Sequence, residues 1–430
     1  MSSVEALAQA LGRAALPTAK HVFLQRDDVG LLNLARRFDA QAAQGQKIGL
    51  LEGAVVVIKG NIDILGMTTS AGSKSFDPAP ASLSAPLVSN LVNAGALPMG
   101  HANLSEFAFS GLGLNPNFGT PLNALDHSVV PGGSSSGCAT AVALGIADLA
   151  IGSDTSGSTR VPAAYQGIYG YRPSMRRYDD AGILPLAPSL DTPGPMARDF
   201  AGITLLDAVM RKLAPPTDGA RADRIIVPDA ESLGHMSSDM AQLLEIAANE
   251  LAARGWVVDT VPVPVLSNVA ATFEKLGTLV AAEAPDQLAQ YTMLDNPAID
   301  PNVRRRLAQA LPGDPVKVEA LRQTRKDLQE EMRGFLGNSL LLMPTVPGPP
   351  PSIASVQAPD RFAEANARAL SLTMPTAFLD MPSLAMPVSG RVPGQSLSLC
   401  GVPGSDDRLL EAAKEIALTL LTLNAEAFHD

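Results

Sequence analysis

Cysteine is nearly absent. The chain has two, Cys138 and Cys400, far apart and in no CxxC or Cys/His spacing. That excludes a disulfide framework and a structural zinc site, and it suits a reducing cytoplasm. Aromatic residues make up 4% and charged residues 17% of the 430 positions, and 32 Lys and Arg stand against 43 Asp and Glu for a formal charge of −11. With no long basic run, nucleic acid is not an expected partner. Long apolar runs are missing too: Leu340–Met343 and Ile416–Leu423 fall well short of the ~20 residues that span a bilayer, so no membrane segment is expected. The N-terminal MSSVEALAQALGRAALPTAK carries Glu5 early and has no apolar core behind a basic start. It reads as an amphipathic surface helix rather than a secretory signal. The expectation is a soluble, cytoplasmic protein.

What is present is a 46% hydrophobic chain with 36 Gly and 35 Pro, patterned as alternating helix and strand. Residues 1–45 are helical in pattern. Ala54-Val55-Val56-Val57-Ile58 is the first clear strand, and it delivers Lys59 at its end. Pro86 to Asn93 reads as a short helix stopped at Gly95, followed by a strand over Ala96 to Gly100. Residues 110–137 are a long Gly/Asn/Pro/Ser loop, and a loop of that length inside a compact domain is usually functional. Cys138 to Leu144 is a small-residue helix, Ala147 to Ile151 a buried strand, and Gly152–Ser158 a second small-residue loop. Pro162 suits the first turn of the next helix. Residues 200–340 are richer in helix formers, 341–360 read as an extended Pro-rich connection, and Asp407–Leu423 as a closing amphipathic helix. No repeat is present.

Two Ser/Gly loops and a strand-end lysine in one α/β unit admit three chemistries. A Gly-rich loop entering a helix can bind phosphate, but Pro131–Gly137 lacks the P-loop ending and the dinucleotide spacing. Gly133-Ser134-Ser135-Ser136-Gly137 satisfies G-x-S-x-G with Ser135 as nucleophile. That mechanism needs a later histidine, and only His235 and His429 follow, since His101 and His127 precede the motif. The third chemistry is a serine activated by lysine, which requires burial or a neighbour to lower the lysine pKa from about 10.4. The end of an apolar strand is where Lys59 would find such burial.

Ile58-Lys59-Gly60-Asn61-Ile62-Asp63, Pro131-Gly132-Gly133-Ser134-Ser135-Ser136-Gly137 and Gly152-Ser153-Asp154-Thr155-Ser156-Gly157-Ser158-Thr159-Arg160-Val161-Pro162-Ala163 together resemble the amidase signature family, in order and in spacing. The resemblance is strongest over about 50–200, including Leu190-Asp191-Thr192-Pro193-Gly194-Pro195, and returns at Leu341–Pro347 and Leu372–Pro387.

It implies one α/β amidase signature domain over 1–430, with a central mixed sheet covered by helices on both faces. Residues 1–45 would be an N-terminal helical region, about 50–200 the signature core, about 200–340 a variable helical region and 341–430 the C-terminal part of the same domain. It further implies an amidase using a Ser-cisSer-Lys triad, with Ser158 as nucleophile, Ser134 as bridging serine at a cis peptide and Lys59 as terminal base. The backbone N–H groups of Thr155, Ser156, Gly157 and Ser158 would form the oxyanion hole. No metal or organic cofactor is implied, and the partner is a small amide.

Arg160 either clamps a substrate carboxylate or pairs with a nearby acid, Asp154 foremost. Asp191 reads as a loop anchor and Cys138 as core. The sequence departs from the family pattern at Ser156, Thr159, His101, Phe378 and Asp380, which bears on the substrate rather than on the triad. The N-terminal helices offer a homodimer surface. The competing functions are the amidase subunit of a glutamine-dependent amidotransferase and a non-catalytic member of the fold.

Overall fold

The computed structural model describes residues 1–211, 222, 224–310, 314–388 and 390–423. Its centre is an eleven-stranded sheet: β1 (Phe23–Gln25), β2 (Val55–Lys59), β3 (Leu97–Ala102), β4 (Leu149–Asp154), β5 (Tyr169–Arg172), β6 (Thr192–Ala197), β7 (Ile225–Pro228), β8 (Val258–Val261), β9 (Leu340–Pro344), β10 (Ser383–Pro387) and β11 (Ser396–Cys400). The spatial order is β1-β3-β2-β4-β6-β5-β10-β11-β9-β7-β8. β3, β2 and β4 run parallel, as do β9, β7 and β8, while the strands between these two groups pair antiparallel. The sheet is therefore mixed, as expected.

β2 shows how the sheet divides the molecule. Val55 and Val57 enter an apolar cluster with the helices Ser3–Ala14, Asp28–Ala43 and Ser136–Ala143, whereas Val56 and Ile58 enter the larger cluster on the other face. That is the period-two alternation of a strand covered on both sides. Lys59 follows with the parity of Val55 and Val57, so it lies on the face covered by Ser136–Ala143.

The expected helix Pro86–Asn93 is found with those bounds, and the expected Asp407–Leu423 helix spans Asp406–Leu421. Two readings change. Residues 200–340 are not purely helical: β7 and β8 extend the sheet there, each a four-residue strand too short to stand out between long helical patterns. The Pro-rich 341–360 is only partly an extended connection, because it opens with the buried strand β9 and later forms the 3-10 turn Ile353–Val356. No helix among the described residues is long and apolar enough to cross a membrane.

Candidate active site

Lys59 and Asp154 end the adjacent parallel strands β2 and β4, at the carboxyl edge where open α/β sheets place their ligands. Two loops reach over this edge. One carries Ser134 into the helix Ser136–Ala143, and the other carries Ser158 into the helix Arg160–Gln166. The Lys59 side chain is fully buried and donates to Ser134 Oγ at 2.7 Å, to Ser153 Oγ at 2.9 Å and to Ser153 O at 3.2 Å. Burial lowers its pKa to about 8, against the opposing pull of the Asp154 and Asp191 carboxylates.

The Gly133–Ser134 peptide is cis. Gly133 sits so close to the Gly113 nitrogen and the Ser110 carbonyl (2.5 and 2.7 Å from where a Cβ would stand) that only glycine fits. The two serine loops are tied together by the Ser135 N–H donating to the Ser158 carbonyl at 3.2 Å. Ser158 is 5% exposed and Ser134 fully buried.

Asp154 shapes the second loop. Its carboxylate accepts from the Gly157 N–H (2.7 Å), the Thr159 N–H and hydroxyl (3.1 and 2.9 Å), and Arg160 through Nε and Nη2 (3.1 and 3.0 Å). Burial pushes this carboxyl upward, but the charges of Arg160 and Arg172 outweigh it and hold the group well below the usual range. Arg160 also donates to Thr376 Oγ1 and the Thr373 carbonyl, which pins the loop to the helix Thr373–Phe378. Its Nε, Nη1 and Nη2 are thus all engaged inside the protein, which favours the structural reading of Arg160 over the substrate clamp. Gly157 corrects a second expectation, because its N–H is turned inward onto Asp154 and cannot face a substrate oxygen. The N–H groups of Thr155, Ser156 and Ser158 meet no turn or side-chain acceptor among the described residues.

Asp191 is a loop anchor, as expected: it accepts from Leu186 and Ala187 N–H and from Thr155 Oγ1 (2.8, 2.9 and 2.5 Å). Burial raises its pKa to about 6. Ser135 Oγ is fully buried and, among the described residues, donates only to the Ser153 carbonyl, at 3.4 Å. His235 lines a separate cleft with Leu266 and Pro375, and His127 is exposed. His101 is buried with Nε2 on the Ile62 carbonyl, and His429 lies outside the described residues. None of these histidines among the described residues serves a serine. Cys138 is buried core.

Ser153 was not singled out by sequence. It contacts Lys59 with its hydroxyl and receives a bond from Asn61 Nδ2 at 3.2 Å. The signal was available, since it is the polar residue just before Asp154 on a strand otherwise apolar. Beside it lies a small cavity of about 80 Å³, walled by Asn61, Ala108, Ser153, Thr155, Leu186 and Asp191 among others. Among the described residues no cluster of His, Cys, Asp and Glu suits a metal.

A family model described as Amidase matches residues 5–410. The chain is 34% identical over 395 residues to 2-amino-5-chloromuconic acid deaminase of Comamonas testosteroni, covering 88% of this chain and 84% of that protein. It is 29% identical over 443 residues to mandelamide hydrolase of Pseudomonas putida, covering 94% and 86%. A solved structure described as an amidase superposes with a TM-score of 0.87 at 28% identity, covering 98% of this chain and 96% of that one.

Proposed function

The chain belongs to the amidase family of hydrolases acting on amide C–N bonds, and from that premise we propose that it cleaves a carboxylic amide through Ser158, Ser134 and Lys59 by way of an acyl-enzyme. The observation that carries this reading is the buried 2.7 Å contact between Lys59 Nζ and Ser134 Oγ, made by a lysine whose pKa burial brings to about 8. At neutral pH roughly one such lysine in ten is uncharged and able to accept a proton.

Neutral Lys59 takes the hydroxyl proton of Ser134, Ser134 takes that of Ser158, and Ser158 Oγ attacks the amide carbonyl. The oxygen of the tetrahedral intermediate takes its negative charge opposite the N–H groups of Thr155, Ser156 and Ser158. One such donor is worth roughly 3–4 kcal/mol. The proton then passes back along the same relay to the nitrogen, which leaves as ammonia or an amine. Water repeats the sequence on the ester, freeing the acid and restoring Ser158. Asp154 and Arg160 hold the Ser158 loop and take no proton. The continuity of one sheet from β1 to β11 supports reading 1–430 as a single domain.

The test is intact-mass detection of an adduct with a serine-directed sulfonyl fluoride, alongside ammonia release from an amide panel. The adduct is expected on wild type, absent in Ser158→Ala and slowed at least about 100-fold in Lys59→Ala. Labelling that persists in Ser158→Ala overturns the assignment and moves attention to Ser135. Absence of labelling in wild type favours a non-catalytic member of the fold, and ammonia release by the single chain argues against an obligatory partner subunit.

A further inference from the structure

The Pro-rich segment that follows β9 forms one wall of a second cleft, which shares no lining residue with the cavity beside Ser153. Opposite the prolines of 347–351 stands the helix Pro359–Leu370, which brings Arg361, Glu364 and Arg368 to the cleft at successive spacings of three and four residues, one face of a helix. The space between these walls is about 420 Å³, within the range of small-molecule sites. The proline wall is fixed in place. The Val130 N–H donates to the Pro351 carbonyl at 3.0 Å and the Ser237 N–H to the Pro347 carbonyl at 2.8 Å, and proline has little backbone freedom left to lose.

Tyr165 closes the cleft from within. It belongs to the helix Arg160–Gln166 and is 2% exposed, with its ring against Gly132: Cδ2 lies 2.9 Å from where a Cβ on that glycine would stand. Its hydroxyl makes no hydrogen bond among the described residues, and it is not one of the polar atoms sealed in the interior without a partner. Buried polar groups are almost always answered, and the open side of this one is the cleft that Tyr165 lines. Burial raises the pKa of the hydroxyl, and the charge of Arg368 pulls the other way, an influence that weakens with distance and so sets the guanidinium near the phenol.

No carboxylate pairs with Arg368 among the described residues, and its Nη2 stands 3.6 Å from the Cβ position of Gly348, a residue of the opposite wall. Arg361, by contrast, is held by Glu364 at 3.1 Å. Two positive side chains and one negative therefore line the cleft, an excess of positive charge on a chain of formal charge −11. The donors left unspent are a guanidinium fork and one buried hydroxyl, and a planar carboxylate answers both. We propose that this cleft is a binding site, separate from the catalytic serines, for a small carboxylate with an apolar body: Arg368 and the Tyr165 hydroxyl take the carboxylate, and the prolines of 347–351 take the body. The site goes beyond the catalytic reading and does not rest on it.

The experiment is a saturation-transfer NMR titration of the full chain with 3-phenylpropionate, with 3-phenylpropanol as the neutral analogue and inorganic phosphate as competitor, on wild type, Ser158→Ala, Arg368→Gln and Tyr165→Phe. Saturable binding of the acid is expected, equal in wild type and Ser158→Ala. Arg368→Gln should weaken it at least about tenfold, Tyr165→Phe at least about threefold, and the alcohol should bind at least about tenfold more weakly than the acid. Both site variants spare the fold, because Arg368 is exposed and phenylalanine keeps the ring on Gly132. No saturable binding to wild type, or unchanged affinity in either Arg368→Gln or Tyr165→Phe, overturns the proposal. Displacement by an equal concentration of phosphate also overturns it, since the apolar wall would then contribute nothing. A loss of binding in Ser158→Ala as large as that expected for Arg368→Gln places the acid in the catalytic pocket instead.

Discussion

The loop after β4 and the turn at Glu106–Phe109 each meet an arginine, Arg160 and Arg306, and the two guanidinium groups use their donors in opposite ways. Around Asp154 the donors are consumed: Arg160 gives Nε and Nη2 to the carboxylate, Nη1 to Thr376 and a further bond to Thr373, in a place 1% exposed. Around Phe109 the guanidinium gives one donor to a carbonyl and rests on a ring. A buried charge that is fully paired holds a backbone in one shape, whereas a charge left with a free edge is available to something outside the chain. The first arrangement holds the loop that carries Ser158 in one shape, and the second leaves Nε and Nη2 of Arg306 without a hydrogen bond among the described residues.

Breaking the first region should have the largest effect. Arg160→Ala strands the buried Asp154 carboxylate and is expected to cost about 3–5 kcal/mol in denaturant unfolding, whereas Arg306→Ala should cost less than about 1 kcal/mol. Similar losses for the two variants would erase the distinction. The next effect is in pH. In the proposed mechanism the uncharged lysine is the reactive form, so kcat/KM should rise about tenfold per pH unit below the Lys59 pKa and level off above about 8. A profile flat from pH 6 to 9 would separate catalysis from Lys59. The smallest effect sharpens the account of what sets that pKa. Ser153 Oγ accepts a hydrogen bond from the charged ammonium, so Ser153→Ala removes support for the charged form and should move the rising limb downward by less than about one pH unit. Movement upward would mean that the Ser153 hydroxyl supports the neutral amine by donating to it rather than the charged ammonium by accepting from it.

The signature core was legible because its elements are local. Val55–Ile58 declares a buried strand by composition, Pro86 and Gly95 bracket a helix, and the glycines around Ser134 and Ser158 mark backbone that side chains would obstruct. Gly157 shows the limit of that legibility. Its smallness suited an oxyanion hole, yet its φ of 138° and its closeness to Thr373 Oγ1 place it where its N–H meets Asp154. That peptide points to Asp154, three residues earlier, and is crowded from the other side by Thr373, which comes from far along the chain. β7 and β8 were hidden for a related reason, since a four-residue strand is recognised by the neighbour it pairs with.

By itself the sequence determined the class of fold, the alternation of strand and helix that sets Lys59 and the two serine loops at one sheet edge, and the identity of the residues that could exchange a proton there. Those follow from patterns read over a few residues, and from residue types whose chemistry is intrinsic. The tertiary structure decided which groups are spent and which are free. It buried Lys59 enough to lower its pKa, closed Arg160 onto Asp154, turned the Gly157 N–H inward, brought Ser153 to the lysine and left one edge of Arg306 open. The burial of Lys59 and its bond to Ser153 rest on segments distant in sequence. The bonds of Gly157 and Arg160 to Asp154, though they span only three and six residues, are fixed by contacts with Thr373 and Thr376 far along the chain, which no local pattern encodes.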